Sequence, residues 1–374
     1  MRNMKLRLFF AAATILSLAA LIQACSKSSP SPAKNSGFDR VGMLTNISTN
    51  IIVPGYLTFQ TSVNALNAAE TDFNTAPDAA KLATLQSAFI DAYKKWQSVS
   101  VFDLGPASNE NLRISLNTFP ADVNQINTNV STGSYNLSSL SSLDVQGFPA
   151  LDYLLFGTGA DNAAILIQYT SDAAATNRKA YLAAVMGIIK TKTDNVVAAW
   201  TSTYPATFLS AAGTDVGSSL GQLTNQLNED YETLKNYEIG IPAGTESMGT
   251  VFPQKVQAYY SKISLQLALL HLQAIQNVYE GISTKGNGLS FDDYLVSLNA
   301  KYNGGSLNDA IITQFAASQN KLQALSDPLS AQITSNVTGV NAAYTALQLQ
   351  TVLLKTDMPS ALGVSITYGD TDGD

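Results

Sequence analysis

Apolar residues recur at steps of three and four along most of this chain, the spacing of side chains on one face of a helix. Leu82, Leu85, Phe89, Tyr93 and Trp96 follow that step, as do Tyr181, Val185, Ile188 and Ile189. The cleanest stripe is Leu220, Leu223, Leu227, Tyr231 and Leu234, and a long one follows at Val256, Tyr260, Ile263, Leu267, Leu270, Ala274 and Val278. A final helix is expected from about Val337 to Leu354, with Val340, Tyr344 and Leu347 inward. No stretch alternates as a sheet would require, so the pattern predicts an all-α protein.

Breaks divide the helices into two sets. Pro106, Pro120 and the Ser-rich run Ser131 to Ser142 interrupt the first, and Thr203-Tyr204-Pro205 with Ala211 to Thr214 mark a boundary. Gly240 to Thr250 and Lys285 to Gly288 read as loops of the second. About four helices a side suffice to close a bundle. The expected architecture is two helical bundles, residues 37–210 and 211–374, packed side by side as a duplicated four-helix-bundle-like unit. The groove between them is the default place for a ligand.

The N-terminus changes the picture of where the fold begins. Arg2, Lys5 and Arg7 precede an apolar run from Leu8 to Ile22, too short for a comfortable membrane span. It ends in Leu21-Ile22-Gln23-Ala24-Cys25, which looks like a bacterial lipobox. Residues 1–24 are thus expected to be a signal peptide, and Cys25, the chain's one cysteine, the lipidated first residue of the mature protein. The Ser- and Pro-rich residues 25–36 then form a tether. These features place the protein at the bacterial cell envelope, anchored in a membrane, with the outer membrane expected.

Charge narrows the partners. Losing Arg2, Lys5 and Arg7 with the signal peptide leaves 18 Lys+Arg against 28 Asp+Glu, or −10. Nucleic acid is a poor partner for that balance. A Cys/His nucleophilic pair is excluded once Cys25 is lipidated. His271 is the one histidine, too few for a hydrolytic zinc site, which draws on two or three. It sits in Leu269-Leu270-His271-Leu272 and reads as a core or rim residue satisfied by hydrogen bonding, with metal or haem ligation as the alternative. No G-x-S-x-G elbow accompanies it. The ending Asp370-Thr371-Asp372-Gly373-Asp374 starts like a calcium loop but stops short of one, and reads as an acidic tail.

The most informative stretch is Gly147-Phe148-Pro149-Ala150-Leu151-Asp152-Tyr153-Leu154-Leu155-Phe156-Gly157. It resembles the G-x-H-x-x-E motif of the imelysin family of bacterial envelope proteins, with Pro149 at the His position and Asp152 at the Glu position. Further segments are similar to that family in order and spacing. They include Ala92-Tyr93-Lys94-Lys95-Trp96-Gln97, Phe102 to Pro106, Asn117 to Asp122, Phe252 to Ser261, Ala274 to Gly281 and Leu354 to Tyr368. The resemblance implies paired helical bundles, an envelope location and a group named for a peptidase yet often tied to iron acquisition.

A His and a Glu three apart on a helix can converge on one cation, but proline offers no ligand atom. Proline also favours the first helical turn, so a helix is expected to start near Pro149, with Asp152 held by the positive end of its dipole. Asp152, Asp122, Asn117 and Tyr260 lie in the matching segments and form a carboxylate and phenol set suited to a hard cation such as ferric iron. Each has an ordinary alternative: a turn or cap at Asn117, a first-turn carboxylate at Asp122, core packing at Tyr260. The function expected is a non-enzymatic, membrane-anchored lipoprotein that assists uptake of iron or haem, with envelope uptake proteins as possible partners. The alternatives are an imelysin-type metallopeptidase with a rebuilt metal site, and a structural or interaction lipoprotein.

Overall fold

The computed structural model describes residues 37–369. The expected signal peptide (1–24), Cys25 with the whole expected tether (25–36), and the acidic tail (370–374) lie outside the described residues. The chain enters through α1 (Arg40–Asn46), whose first turn is capped by Asp39 accepting the Gly42 N–H at 2.8 Å. A wide π turn (Ile47–Ile52) carries it into α2 (Val53–Thr75), where Tyr56, Phe59, Val63, Leu66 and Phe73 face the core. Next comes α3 (Ala79–Trp96), which buries every residue of the stripe Leu82 to Trp96. Short helices follow as α4 (Pro106–Asn109), α5 (Leu112–Asn117), α6 (Val123–Thr132), α7 (Gly147–Asp152) and α8 (Asn162–Thr170). The long α9 (Ala175–Trp200) packs along α2, and α10 (Tyr204–Ser210) closes this set.

The second set comprises α11 (Ser219–Glu232), α12 (Ile241–Ala243), α13 (Ser264–Glu280) and α14 (Phe291–Ser297). It continues through α15 (Leu307–Gln323), α16 (Leu329–Ser335), α17 (Val337–Val352) and α18 (Met358–Leu362). Strand structure among the described residues is limited to two antiparallel ribbons, Ile282–Ser283 with Gly286–Asn287 and Lys301–Tyr302 with Gly305–Ser306. The protein is all-α, as the periodicity implies.

Helices before residue 210 pack chiefly on one another, and so do those after 218, yet they share one continuous apolar core. The sets meet where α11 crosses Ser100–Phe102 and α13 crosses α3. α1 reaches across: Arg40 Nε donates to Ala212 O at 2.8 Å, Asn46 Nδ2 to Leu289 O at 3.2 Å, and Phe38 stacks on Tyr294. By contact, the described residues form one unit. A division at 210/211 into duplicated bundles stays a proposal.

Three π turns run almost directly into a proline: Ile47–Ile52 before Pro54, Thr233–Gly240 before Pro242, and Leu353–Asp357 before Pro359. Proline lacks an N–H and crowds the carbonyl four residues back, and a widened turn accommodates both. The final helix therefore stays regular only to Val352. The long stripe from Val256 also begins later than its periodicity suggests. Ala258 and Lys262 have φ of 53° and 62°, so Tyr260 lies in a turn with Val256 in the bend before it, and α13 starts at Ser264 with Ile263 as its N-cap.

Candidate functional site

Gly147 opens α7 with φ of 70°, and a Cβ there would collide with the main-chain carbonyl of Leu116. Only glycine lets this turn lie against the end of α5. Phe148 then stacks on Tyr93 with centroids 4.6 Å apart, and Pro149 is buried within the first turn. Asp152 ends the α-helical part, and the chain widens into a π turn at Tyr153–Gly157. Asp152 is therefore not held by its own helix's dipole. It is 2 % exposed and reaches a distant segment, where Oδ2 accepts the Tyr260 N–H at 2.8 Å and Oδ1 the Ser261 N–H at 2.9 Å. Burial raises its pKa to about 6, against the lowering effect of the Ser261 and Tyr260 bonds.

A cavity of about 270 Å³ lies beside this carboxylate, lined by Phe119, Pro120, Ala121, Val123, Pro149, Asp152, Gln254, Lys255, Val256, Ala258, Tyr259 and Tyr260. Asp152 and Tyr260 are thus brought together. The half-buried Tyr260 ring leans on Tyr153 at 5.2 Å and on Tyr259 at 5.1 Å, and burial pushes its hydroxyl up to about 12. Asp122 is elsewhere in role: it is an exposed N-cap of α6, its Oδ1 accepting the Asn124 and Gln125 N–H groups at 3.0 Å. Asn117 accepts the Tyr93 hydroxyl at 2.6 Å and lines a different cavity.

That second cavity, also about 270 Å³, adjoins a charged cluster the periodicity does not reveal. His271, 2 % exposed, places Nε2 2.7 Å from Asp230 Oδ2 and Nδ1 2.8 Å from Glu238 Oε1. A carboxylate oxygen against each ring nitrogen favours the doubly protonated imidazolium form of His271. Burial alone would lower its pKa, but Asp230 and Glu238 hold it well above the ordinary range. Burial would raise Asp230, and His271 with Arg113 instead bring it below the usual carboxylate value. Arg113 stands 3.2 Å from Glu229, 3.6 Å from Asp230 and 3.9 Å from Asp103, and donates to Ser100 O and Gln226. His271 is a buried, satisfied histidine, as its Leu-rich setting suggests.

A metal centre of the motif's own kind does not fit here. Pro149 has no donor atom, and the described residues hold no group of three or more His, Cys, Asp or Glu suited to a metal ion.

The imelysin family model (peptidase M75) matches residues 52–354, and the chain belongs to that family. It is 23% identical over 300 residues to iron-regulated protein A of Synechococcus elongatus, spanning 76% of each chain. Its fold is similar to the crystal structure of a protein described as an iron-regulated protein A precursor from Parabacteroides distasonis. There the TM-score is 0.69 at 18% identity, covering 90% of this chain and 97% of that one. An imelysin-like protein from Psychrobacter arcticum matches with a TM-score of 0.65 at 17% identity, covering 88% and 97%.

Proposed function

We propose that the protein is a membrane-anchored lipoprotein of the imelysin family that binds iron or an iron-bearing ligand as cargo and hydrolyses no peptide. The observation that carries this reading is the position of Asp152, which tethers residues 260–261 and also lines a cavity with Tyr259 and Tyr260. Each Asp152 oxygen accepts one main-chain bond, and a carboxylate has about four lone-pair sites in all. Carboxylate and phenol oxygens suit a hard ferric ion or its chelate. The names of the relatives from Synechococcus elongatus and Parabacteroides distasonis support the iron link. The lipobox at Cys25 supports the anchor.

A water-activating metal of the peptidase kind would need a nitrogen or carboxylate where Pro149 stands. The test compares peptide hydrolysis by the purified chain with that of its Asp152→Asn variant, in the presence of added zinc and iron. No turnover by either protein is expected. Turnover by the wild type that disappears in the variant would establish the peptidase reading instead.

A further inference from the structure

We propose that a groove lined by α3, α13 and the entry to α2 binds an amphiphilic organic anion, a single negative group on an apolar body such as a medium-chain carboxylate. The cavity there is about 600 Å³, within the range of small-molecule sites, and shares no lining residue with the cavities beside Asp152 and His271.

One wall is a face of α3. Asp91, Lys94 and Lys95 stand at steps of three and four on that helix, and all three line the groove. Asp91 is exposed and the lysines are half-buried, and none of the three side chains has an ion pair or hydrogen bond among the described residues. Two lysines against one carboxylate leave the lining at +1, in a chain whose formal net charge is −7. The dipole of α3 favours lysines in its last turn, which accounts for their charge but not for the apolar surface of the same groove.

That surface comes from α13, where Leu270, Ala274 and Val278 form a row at steps of four, and from Ile51 and Ile282. Leu270 and Ile282 keep 38% and 36% of their surface exposed, so covering them removes apolar area from water. Most uncharged donors in the lining are already engaged. The hydroxyls of Thr58, Ser98 and Ser283 donate to the carbonyls of Pro54, Lys95 and Gly286, and the amides of Asn50 and Gln273 donate to Asn46 and Asn277. The two unpartnered cations are therefore the strongest polar attraction the groove offers. One anionic head beside an apolar body matches that division better than a polyhydroxylated ligand or a metal cation does.

Octanoate, octanol and octylammonium share one chain length with a negative, neutral or positive end, and serve as probes in calorimetric titrations of the chain from Ser26 onward. Octanoate is expected to bind saturably with a Kd of about 1 mM or tighter, and the neutral and cationic probes at least about tenfold more weakly. Hexanoate, two methylenes shorter, should bind about tenfold more weakly than octanoate, and acetate not measurably. Replacing both lysines, Lys94→Gln with Lys95→Gln, should weaken octanoate about tenfold while the unfolding midpoint holds. Absence of saturable octanoate binding, equal binding of octanol, acetate binding as tight as octanoate, or an unchanged Kd in the double variant would each overturn the proposal. Asp152→Asn should bind octanoate as the wild type does; weakening there would place the ligand in the other cavity and overturn the assignment. These probes contain no iron, so failure here leaves the iron reading standing, and success does not establish it.

Discussion

Asp152 and His271 are buried ionisable residues whose partners come from far along the chain, and both give the fold a pH dependence. Asp152 has a pKa of about 6 when folded, and an unfolded aspartate titrates near about 3.9. Between those values the folded state holds the extra proton, so stability falls as pH rises from about 4 to about 6, by at most about 3 kcal/mol. Asp152→Asn should abolish that slope in urea unfolding series. It should also cost about 1–3 kcal/mol, because an amide nitrogen would face one of the Tyr260 or Ser261 N–H groups. His271 behaves oppositely to an isolated buried imidazole. Its folded pKa is about 10 against about 6.5 unfolded, so its contribution is complete below about pH 6.5 and is lost as pH rises toward 10. His271→Ala removes the cation between Asp230 and Glu238, leaving Asp230 only Arg113 at 3.6 Å, and a loss of about 3–5 kcal/mol in chemical denaturation is expected. An unchanged unfolding midpoint would show that the two carboxylates take up protons at no cost.

At the scale of elements, the helices most legible in the sequence are those whose apolar stripe is undisturbed. Leu82 to Trp96 and Leu220 to Leu234 are buried throughout. The stripe on α2 (Tyr56, Phe59, Val63, Leu66 and Phe73) has the same spacing and is equally readable, although Pro54 at its start suggests a break. The failure at Val256 to Ile263 has a local cause. Asp152 captures the N–H groups of Tyr260 and Ser261, and the left-handed backbone at Ala258 and Lys262 turns the segment away from helix despite its apolar rhythm. No periodicity encodes a cap supplied by a residue more than 100 positions away. The contact of α7 with α5 gives a direct test. Gly147→Ala places a methyl against the Leu116 carbonyl at a positive φ, and a destabilisation of about 3 kcal/mol is expected in thermal or urea unfolding. A loss below about 0.5 kcal/mol would mean that α7 can shift off α5 without strain.

Over the whole molecule, the family and the all-α fold were readable from ordered motifs and helical spacing, whereas Asp152, expected in a first helical turn, ends its helix and caps residues 260–261. The charged cluster at His271 was not readable, because Arg113, Asp230, Glu238 and His271 lie on separate elements and only the tertiary fold assembles them. The proposed anchor has its own check: Cys25→Ser should abolish labelling by a radioactive fatty acid in cells and release the protein from the membrane fraction. The central claim is that a family motif without its histidine serves a cargo-binding cavity. It is tested most directly by titrating the chain from Ser26 onward, wild type and Asp152→Asn, with ferric citrate and with haem in a calorimeter. The account predicts saturable binding of one of them at micromolar concentration, weakened about tenfold or more in the variant while the circular dichroism stays helical. No binding of either by the wild type, or equal binding by both proteins, would contradict it.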